Sequence, residues 1–198
     1  MKASKTTSLL KTLPIALSLL ALLLCGLSLS ARAGTRPHVT RKMLTQPTEI
    51  QGYPCAKGIA WFFDDGRLSR CTVTREVAFG EARIPAGSYI ALHPDGTPEL
   101  VQMPHDAPIL GLKCQGGSWL GSGEGSVVAF YPSGKLKVCY LAGDQPVQGV
   151  PCAHGGFWAS LSGVDPGVLF NESGKLRGCR LARDFGGQRK GERYAQTQ

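Results

Sequence analysis

The stretch FYPSGKLKVCYLAGDQPVQGVPC, residues 130–152, contains the pattern that decides the fold. An apolar run leads into a Pro-Ser-Gly turn, a second run ends on Cys139, and the chain returns to Cys152. The same phrase recurs in altered form three more times, which indicates an array of one supersecondary unit. We therefore expect a repeat protein rather than a catalytic scaffold.

Four glycines mark the turns of this repeat. Each follows a residue that favours turns, and glycine supplies the positive φ that a tight hairpin needs; they are Gly66, Gly96, Gly134 and Gly174. Apolar runs flank each turn, but their alternation is not strict through the cysteine, which indicates a bulge or two covered faces. The sequence predicts an all-β fold of eight or nine short strands, in about four repeated hairpins, over residues 44–184.

The N-terminus is organised like a secretory signal. Lysines precede an apolar run over residues 13–29, and Ala31-Arg32-Ala33 is a small-x-small cleavage pattern. We interpret residues 1–33 as a signal helix that is removed after export, so that the chain meets the membrane only before cleavage. An uncleaved anchor is the alternative, since residues 13–31 are just long enough to span a bilayer, and lipid attachment at Cys25 is a third. We predict a secreted or periplasmic protein.

Charge is concentrated at the two ends of the chain. The formal charge is +8, of which residues 1–33 carry half, and the other half lies after residue 176. The nearly neutral body lacks the basic face with interleaved aromatics that nucleic-acid binding requires. We expect residues 34–43 to be a flexible entry segment and residues 185–198 to be a basic, disordered tail.

Loss of the signal leaves an even number of cysteines, which implies disulfides in an exported chain; they are Cys55, Cys71, Cys114, Cys139, Cys152 and Cys179. The unit around Gly96 carries Ile84 and Val101 at both cysteine positions. Both cysteines are missing from the same unit, which leaves no unpaired thiol if each cysteine bonds its partner within its own unit. This favours the bonds Cys55–Cys71, Cys114–Cys139 and Cys152–Cys179. No CxxC knuckle is present and the histidines are scattered singly, so we expect neither a metal nor a cofactor.

One aromatic residue follows the first cysteine position by five or six residues in every unit; the four are Trp61, Tyr89, Trp119 and Trp158. These side chains would bind a sugar or peptide by stacking, or they would cover the disulfides as core. The sequence leaves both interpretations open.

No catalytic residue is assigned from the sequence. A hydrolase would need His105 or His154 beside a nucleophile. Asp106 occupies a recurrent acidic position that is typical of a turn, and Asp64 and Asp65 lie in a hairpin turn, where carboxylates cap backbone groups.

The phrases FYPSGKLKVC, FNESGKLRGC and FFDDGRLSRC resemble the aromatic-x-x-x-Gly-x-Leu hairpin units of MORN-variant and YwqK-like repeat proteins. The resemblance covers residues 44 to about 184, although the paired cysteines and the uneven spacing depart from the family pattern. It implies a scaffold or interaction module and carries over no catalytic residue.

We therefore expect an exported, disulfide-bonded structural or interaction module whose partner is an unknown protein or an envelope polymer. Carbohydrate or envelope-polymer binding through the four aromatic residues is the alternative hypothesis. A hydrolase is the third.

Overall fold

The computed structural model describes residues 38–117, 127–155 and 167–195. Over these residues the chain forms strands and turns but no helix, which confirms the all-β expectation. The interpretation of residues 1–33 as a signal helix lies outside the described residues.

The described residues form eighteen short strands, so the expectation of eight or nine is wrong. In chain order the strands are β1 (Val39–Leu44), β2 (Thr48–Ile50), β3 (Tyr53–Cys55), β4 (Gly58–Phe63), β5 (Leu68–Thr72), β6 (Val77–Phe79), β7 (Ala82–Ile84), β8 (Tyr89–Leu92), β9 (Pro98–Gln102), β10 (Ala107–Ile109), β11 (Leu112–Cys114), β12 (Val127–Phe130), β13 (Leu136–Cys139), β14 (Gln145–Val147), β15 (Val150–Cys152), β16 (Val168–Phe170), β17 (Leu176–Arg180) and β18 (Arg193–Ala195).

Ten strands form one antiparallel sheet in the order β1-β4-β5-β8-β9-β12-β13-β16-β17-β18. Eight of them belong to the predicted long hairpins, β4–β5, β8–β9, β12–β13 and β16–β17. At the first turn, the amide of Gly66 donates to the carbonyl of Phe63, and the amide of Phe63 donates to the carbonyl of Arg67. The same two bonds recur at Gly96, Gly134 and Gly174, and all four glycines have φ between 77° and 86°.

The other eight strands form four short hairpins that the sequence did not predict: β2–β3, β6–β7, β10–β11 and β14–β15. Three of their turns have two successive residues with positive φ, which characterises the type I′ turn that matches the twist of paired strands. These turns are Gln51-Gly52, Leu110-Gly111 and Gln148-Gly149. Each short hairpin and the long hairpin that follows it make up one repeat unit.

Backbone hydrogen bonds join the short hairpin to the last strand of its own unit. In the first unit, the amide of Ala56 donates to the carbonyl of Thr72, and the amide of Thr74 donates to the carbonyl of Pro54. The third and fourth units make the same two bonds. The second unit has Pro85 and Pro104 at the two donor positions, and proline has no amide hydrogen to donate.

The core lies between the short hairpins and one face of the sheet, because a single buried cluster contains side chains of both. It includes three disulfides, Cys55–Cys71, Cys114–Cys139 and Cys152–Cys179, with Cα–Cα distances of 5.7, 5.9 and 5.7 Å. These are the bonds expected from the joint loss of cysteines in the second unit. There, Ile84 and Val101 occupy the equivalent strands and are fully buried in the same cluster.

The sheet continues at both ends into segments that were expected to lack structure. Residues 39–43, placed in the flexible entry segment 34–43, belong to β1, which pairs with β4. Within the expected disordered tail 185–198, Phe185 bridges Gln188, and β18 pairs with β17. These parts of the two segments are therefore paired with the sheet or bridged within the segment. The physical reason is that an edge strand exposes unpaired amides and carbonyls, which the adjacent chain satisfies as a further strand.

Candidate functional site

A line of directly paired residues crosses all ten strands on the face turned away from the core. Directly paired residues project to the same side of a sheet, so the line defines a surface. In sheet order it consists of Arg41, Trp61, Arg70, Ala91, Leu100, Ala129, Val138, Leu169, Gly178 and Ala195. Beside it lie Met43, Ile59, Thr72, Tyr89, Gln102, Val127, Arg180 and Arg193. We call these eighteen residues the outer strip.

The middle of the outer strip is apolar. Between β9 and β16 its main line contains only half-buried apolar side chains, those of Leu100, Ala129, Val138 and Leu169. At the β1 end, Met43 and Ile59 form a direct cross-strand pair and are 67% and 41% exposed. An antiparallel sheet with one packed face normally alternates apolar residues inward with polar residues outward. The outer strip departs from that pattern.

The charges of the outer strip all have the same sign. Arg41 and Arg70 flank Trp61, and Arg180 is paired directly with Arg193 near the other edge. No acidic residue occurs among the eighteen. The bulge positions between the strip and the turns add a further net positive charge, since they carry Ser69, Glu99, Lys137 and Arg177.

Trp61 and Tyr89 form an aromatic pair on the outer strip, with ring centroids 6.0 Å apart in an edge-to-face arrangement. Both side chains are half-buried, and neither belongs to the core cluster. Since the disulfides lie in that core, on the other side of the sheet, these two residues do not cover them. Trp119 and Trp158, the other members of the expected row, lie outside the described residues.

Three acidic residues, each five positions after the second cysteine position of its unit, cap backbone amides; they are Asp106, Asp144 and Asp184. The Asp106 carboxylate accepts from the amide of Gly116 at 3.0 Å, and that of Asp184 accepts from the amide of Lys190 at 2.7 Å. Asp144 accepts from the amide of His154 at 2.9 Å, and its Oδ1 lies 2.6 Å from Nδ1 of the same residue. The hydrogen bond from the backbone amide of His154 is the main reason why the pKa of Asp144 is lowered, and the contact with the His154 side chain lowers it further. The expectation that the position of Asp106 belongs to a turn is consistent with this role.

Asp65 acts in a similar way in the turn of the first long hairpin. Oδ1 of Asp65 accepts from the amide of Arg67 at 3.0 Å, and the Arg67 guanidinium binds Oδ2 of the same carboxylate. The hydrogen bond from the Arg67 side chain is the main reason why the pKa of Asp65 is lowered. Asp64 contacts Nδ1 of His38 at 2.8 Å. Asp65 therefore belongs to the local hydrogen bonding of the first long hairpin, whereas Asp64 contacts the residue that precedes β1.

A groove of about 310 Å³ lies among the short hairpins, on the side of the molecule opposite to the outer strip. Its lining includes Leu110, Leu112, Val147 and Phe170, together with Glu81 and Lys135. Leu110 is 43% exposed and has a φ of 48°, a conformation that is costly for a residue with a β-carbon. Sequence reasoning did not identify this groove, because the short hairpins that form it were not predicted.

Within the described ranges, no cluster of three or more histidine, cysteine or acidic residues is arranged to hold a metal ion. No helix in the same ranges is long and apolar enough to cross a membrane.

No protein-family model matches the chain, and comparisons with curated proteins and with solved structures found no significant similarity.

Proposed function

We propose that the chain is an exported, disulfide-bonded repeat protein that acts as an interaction module in the cell envelope or outside the cell, with the outer strip as its binding surface. The observation that carries the proposal is the composition of that strip. A largely apolar, partly exposed surface favours a partner that removes it from water.

Export is supported by the three disulfides. Such bonds form and persist in oxidising compartments and are rare where thiols are kept reduced. They are consistent with the interpretation of residues 1–33 as a secretory signal, and together they favour a periplasmic or secreted location.

A binding role is preferred to catalysis because the described histidine and carboxylate contacts have structural uses. His154 and Asp144 contact each other beside a cysteine-bearing strand, where Asp144 also caps a backbone amide. The hypothesis of a MORN-like array agrees with this role, because repeat arrays present extended surfaces to partners.

Site-specific photo-cross-linking in cells that export the protein tests the proposal. A benzophenone side chain at Thr72, an exposed residue of the outer strip, should form light-dependent adducts with the partner. The same group at Arg83, exposed on a short hairpin, is the matched control and should give none. Equal adducts from both positions, or none from Thr72, would contradict the proposal.

Carbohydrate or envelope-polymer binding is the second candidate, and the exposed part of the Trp61–Tyr89 pair favours it. Aromatic rings offer apolar faces on which sugars stack. In a W119F/W158F background, Trp61 is the only tryptophan. Its fluorescence should change on titration with envelope glycans if this candidate is correct, and a Tyr89→Ala variant should bind them more weakly. Unchanged fluorescence at saturating glycan would exclude it.

A further inference from the structure

We propose that the partner of the outer strip is an anionic lipid surface. The inference rests on the proposed function, since it names the occupant of the same face. Four observations support it: the sign of the charges, their separation, the exposed apolar side chains and the poor match of the face to itself.

The charges of the strip favour an anionic partner. Arg180 and Arg193 are directly opposite on neighbouring strands, where like charges destabilise a sheet. Arg41 and Arg70 lie on either side of Trp61 in the same line. Arg180 also donates to the carbonyl of His154 at 2.8 Å. A surface of phosphate groups would bring a counter-charge to the guanidinium groups of Arg41, Arg70 and Arg193, and arginine matches phosphate in geometry as well as in charge.

The separation of the two arginine pairs favours an extended surface over a small anion. Six strand-to-strand steps separate Arg70 on β5 from Gly178 on β17, which is about 29 Å at the usual spacing between strands. The strip residues on the five strands between the pairs are apolar apart from Gln102 and the phenol of Tyr89. A small soluble anion reaches one pair only, whereas an extended surface offers anionic groups along the length of the strip.

The apolar part of the strip suits the boundary between headgroups and acyl chains. Met43 and Ile59 project into solvent beside Trp61, and tryptophan and tyrosine are enriched at this boundary in membrane proteins. Apolar insertion combined with basic residues is the general mode by which proteins bind anionic membrane surfaces.

A second copy of the chain fits the strip less well. Two identical outer strips brought face to face would place arginine near arginine, with no carboxylate among the eighteen residues to pair with them. Like charges juxtaposed at an interface oppose association. An acidic protein would also meet the charge requirement, and it is one of the outcomes that the test distinguishes.

The test is co-sedimentation of the exported, disulfide-intact protein with vesicles of phosphatidylcholine alone or with 30% phosphatidylglycerol. Every variant carries the same N-terminus, verified by mass spectrometry, so any contribution of that segment cancels. We expect binding to the anionic vesicles, weakened by salt, and little binding to the neutral ones. Each arginine near an anionic surface contributes about fivefold in affinity, so R41Q/R70Q should bind roughly 25-fold more weakly.

The matched control is R83Q/K113Q, which removes the same charge from exposed positions on the short hairpins. Its affinity should stay within about twofold of wild type. M43S/I59S should also weaken binding, because it removes the exposed apolar pair. Circular dichroism and thiol counting establish that each variant is folded.

Equal loss in the control variant, equal binding to neutral vesicles, or no binding by wild type would overturn the lipid proposal. These results leave the proposed function standing if Thr72 still cross-links to a protein or polymer in cells. If Thr72 forms adducts only with an acidic protein, the partner of the outer strip is that protein and not a lipid surface. Absence of any adduct at Thr72 would remove both proposals together.

Discussion

Leu110 departs from the repeat at the turn of the third short hairpin. The first and fourth units have Gln51 and Gln148 at this position, and their side-chain oxygens accept from the amides of Leu68 and Leu176 at 3.0 and 2.9 Å. Leu110 has the same left-handed backbone conformation but offers no acceptor. In the first and fourth units, the glutamine side chain thus joins the turn of the short hairpin to the sheet by a hydrogen bond.

Restoring the glutamine should stabilise the protein. We expect Leu110→Gln to raise the free energy of unfolding by about 0.5–1 kcal/mol, because its side chain can accept from the amide of Leu136 as its counterparts do in their units. Leu110→Met is the control, since it keeps an apolar side chain of similar size. Urea unfolding with the disulfides intact measures both variants. Equal stability of the two would show that the hydrogen bond does not form.

Asp144 makes stability depend on pH in a defined direction. Its pKa in the folded protein is lowered from 3.8, chiefly by the amide of His154, so folding favours the charged carboxylate. That contribution is present above the unfolded pKa and is lost as the pH falls through the lower, folded value. Wild type should therefore exceed Asp144→Asn in stability at pH 6, and the difference should shrink below pH 4. Asparagine keeps an oxygen acceptor, so the comparison isolates the charge.

Thermal unfolding of both proteins between pH 2 and pH 6 measures this difference. A constant difference over the whole range would contradict the expectation. Carbon NMR of the Asp144 carboxyl group gives an independent check, since its titration midpoint should lie below 3.8.

The short hairpins show why only part of the fold could be predicted from the sequence. The long hairpins were predictable because Asp or Ser precedes glycine in each turn, between apolar runs. Gln-Gly, Leu-Gly and Gly-Glu are not the usual hairpin dipeptides, and three-residue strands are too short to show an alternation. A usable signal was present nonetheless: Gly52, Gly111 and Gly149 each lie three residues before the first cysteine of their unit.

The outer strip could not be located from the sequence for a different reason. Each long hairpin contains a register shift between its turn and its cysteine position, for example at Trp61/Phe62. A shift of this kind moves the following residues to the other face of the sheet. Irregular alternation predicted a bulge or two covered faces, but only the register assigns Arg70 and Val138 to the side opposite the disulfides.

The second unit is held together differently from the others. It lacks the disulfide, and Pro85 and Pro104 replace the two amides that join the short hairpin to the sheet in the first unit. Its attachment therefore depends on apolar packing of Ile84 and Val101. Among the four units, this one has the fewest covalent and hydrogen-bonded links between its layers.

A fourth disulfide should form when the second unit is given cysteines. Positions 84 and 101 are 17 residues apart, against 16 for Cys55–Cys71, and they occupy equivalent strands. We expect I84C/V101C to form the bond. According to the chain-entropy model, the bond raises the free energy of unfolding by up to about 3 kcal/mol. Peptide mapping without reduction and thermal unfolding measure the two effects. I84S/V101S is the size-matched control, and free thiols at both positions after oxidation would show that the two units differ in geometry.

At the scale of the whole array, the order of the described strands in the large sheet follows the chain, so each unit contacts mainly its sequence neighbours. The stability of such an array is approximately a sum of unit and neighbour terms. The second unit, which has no disulfide, lies between the first and third units, both of which have one. The stability of the first unit is therefore coupled to that of the third and fourth units through the one unit that has no disulfide.

Removal of the neighbouring bridge should uncouple the ends of the array. C114A/C139A leaves two adjacent units without a disulfide, whereas the control C152A/C179A removes a bridge of similar span, 27 residues against 25, at the end of the array. According to the chain-entropy model, the loss of either disulfide lowers the free energy of unfolding by about 3 kcal/mol. In a W119F/W158F background, Trp61 reports on the first unit while circular dichroism reports on the whole sheet. We expect the two transitions in urea to separate only in C114A/C139A, because coincident probes indicate one cooperative unit. Coincident transitions in both variants would contradict this expectation. They would show that the second unit couples the first and third units even when the third unit has no disulfide.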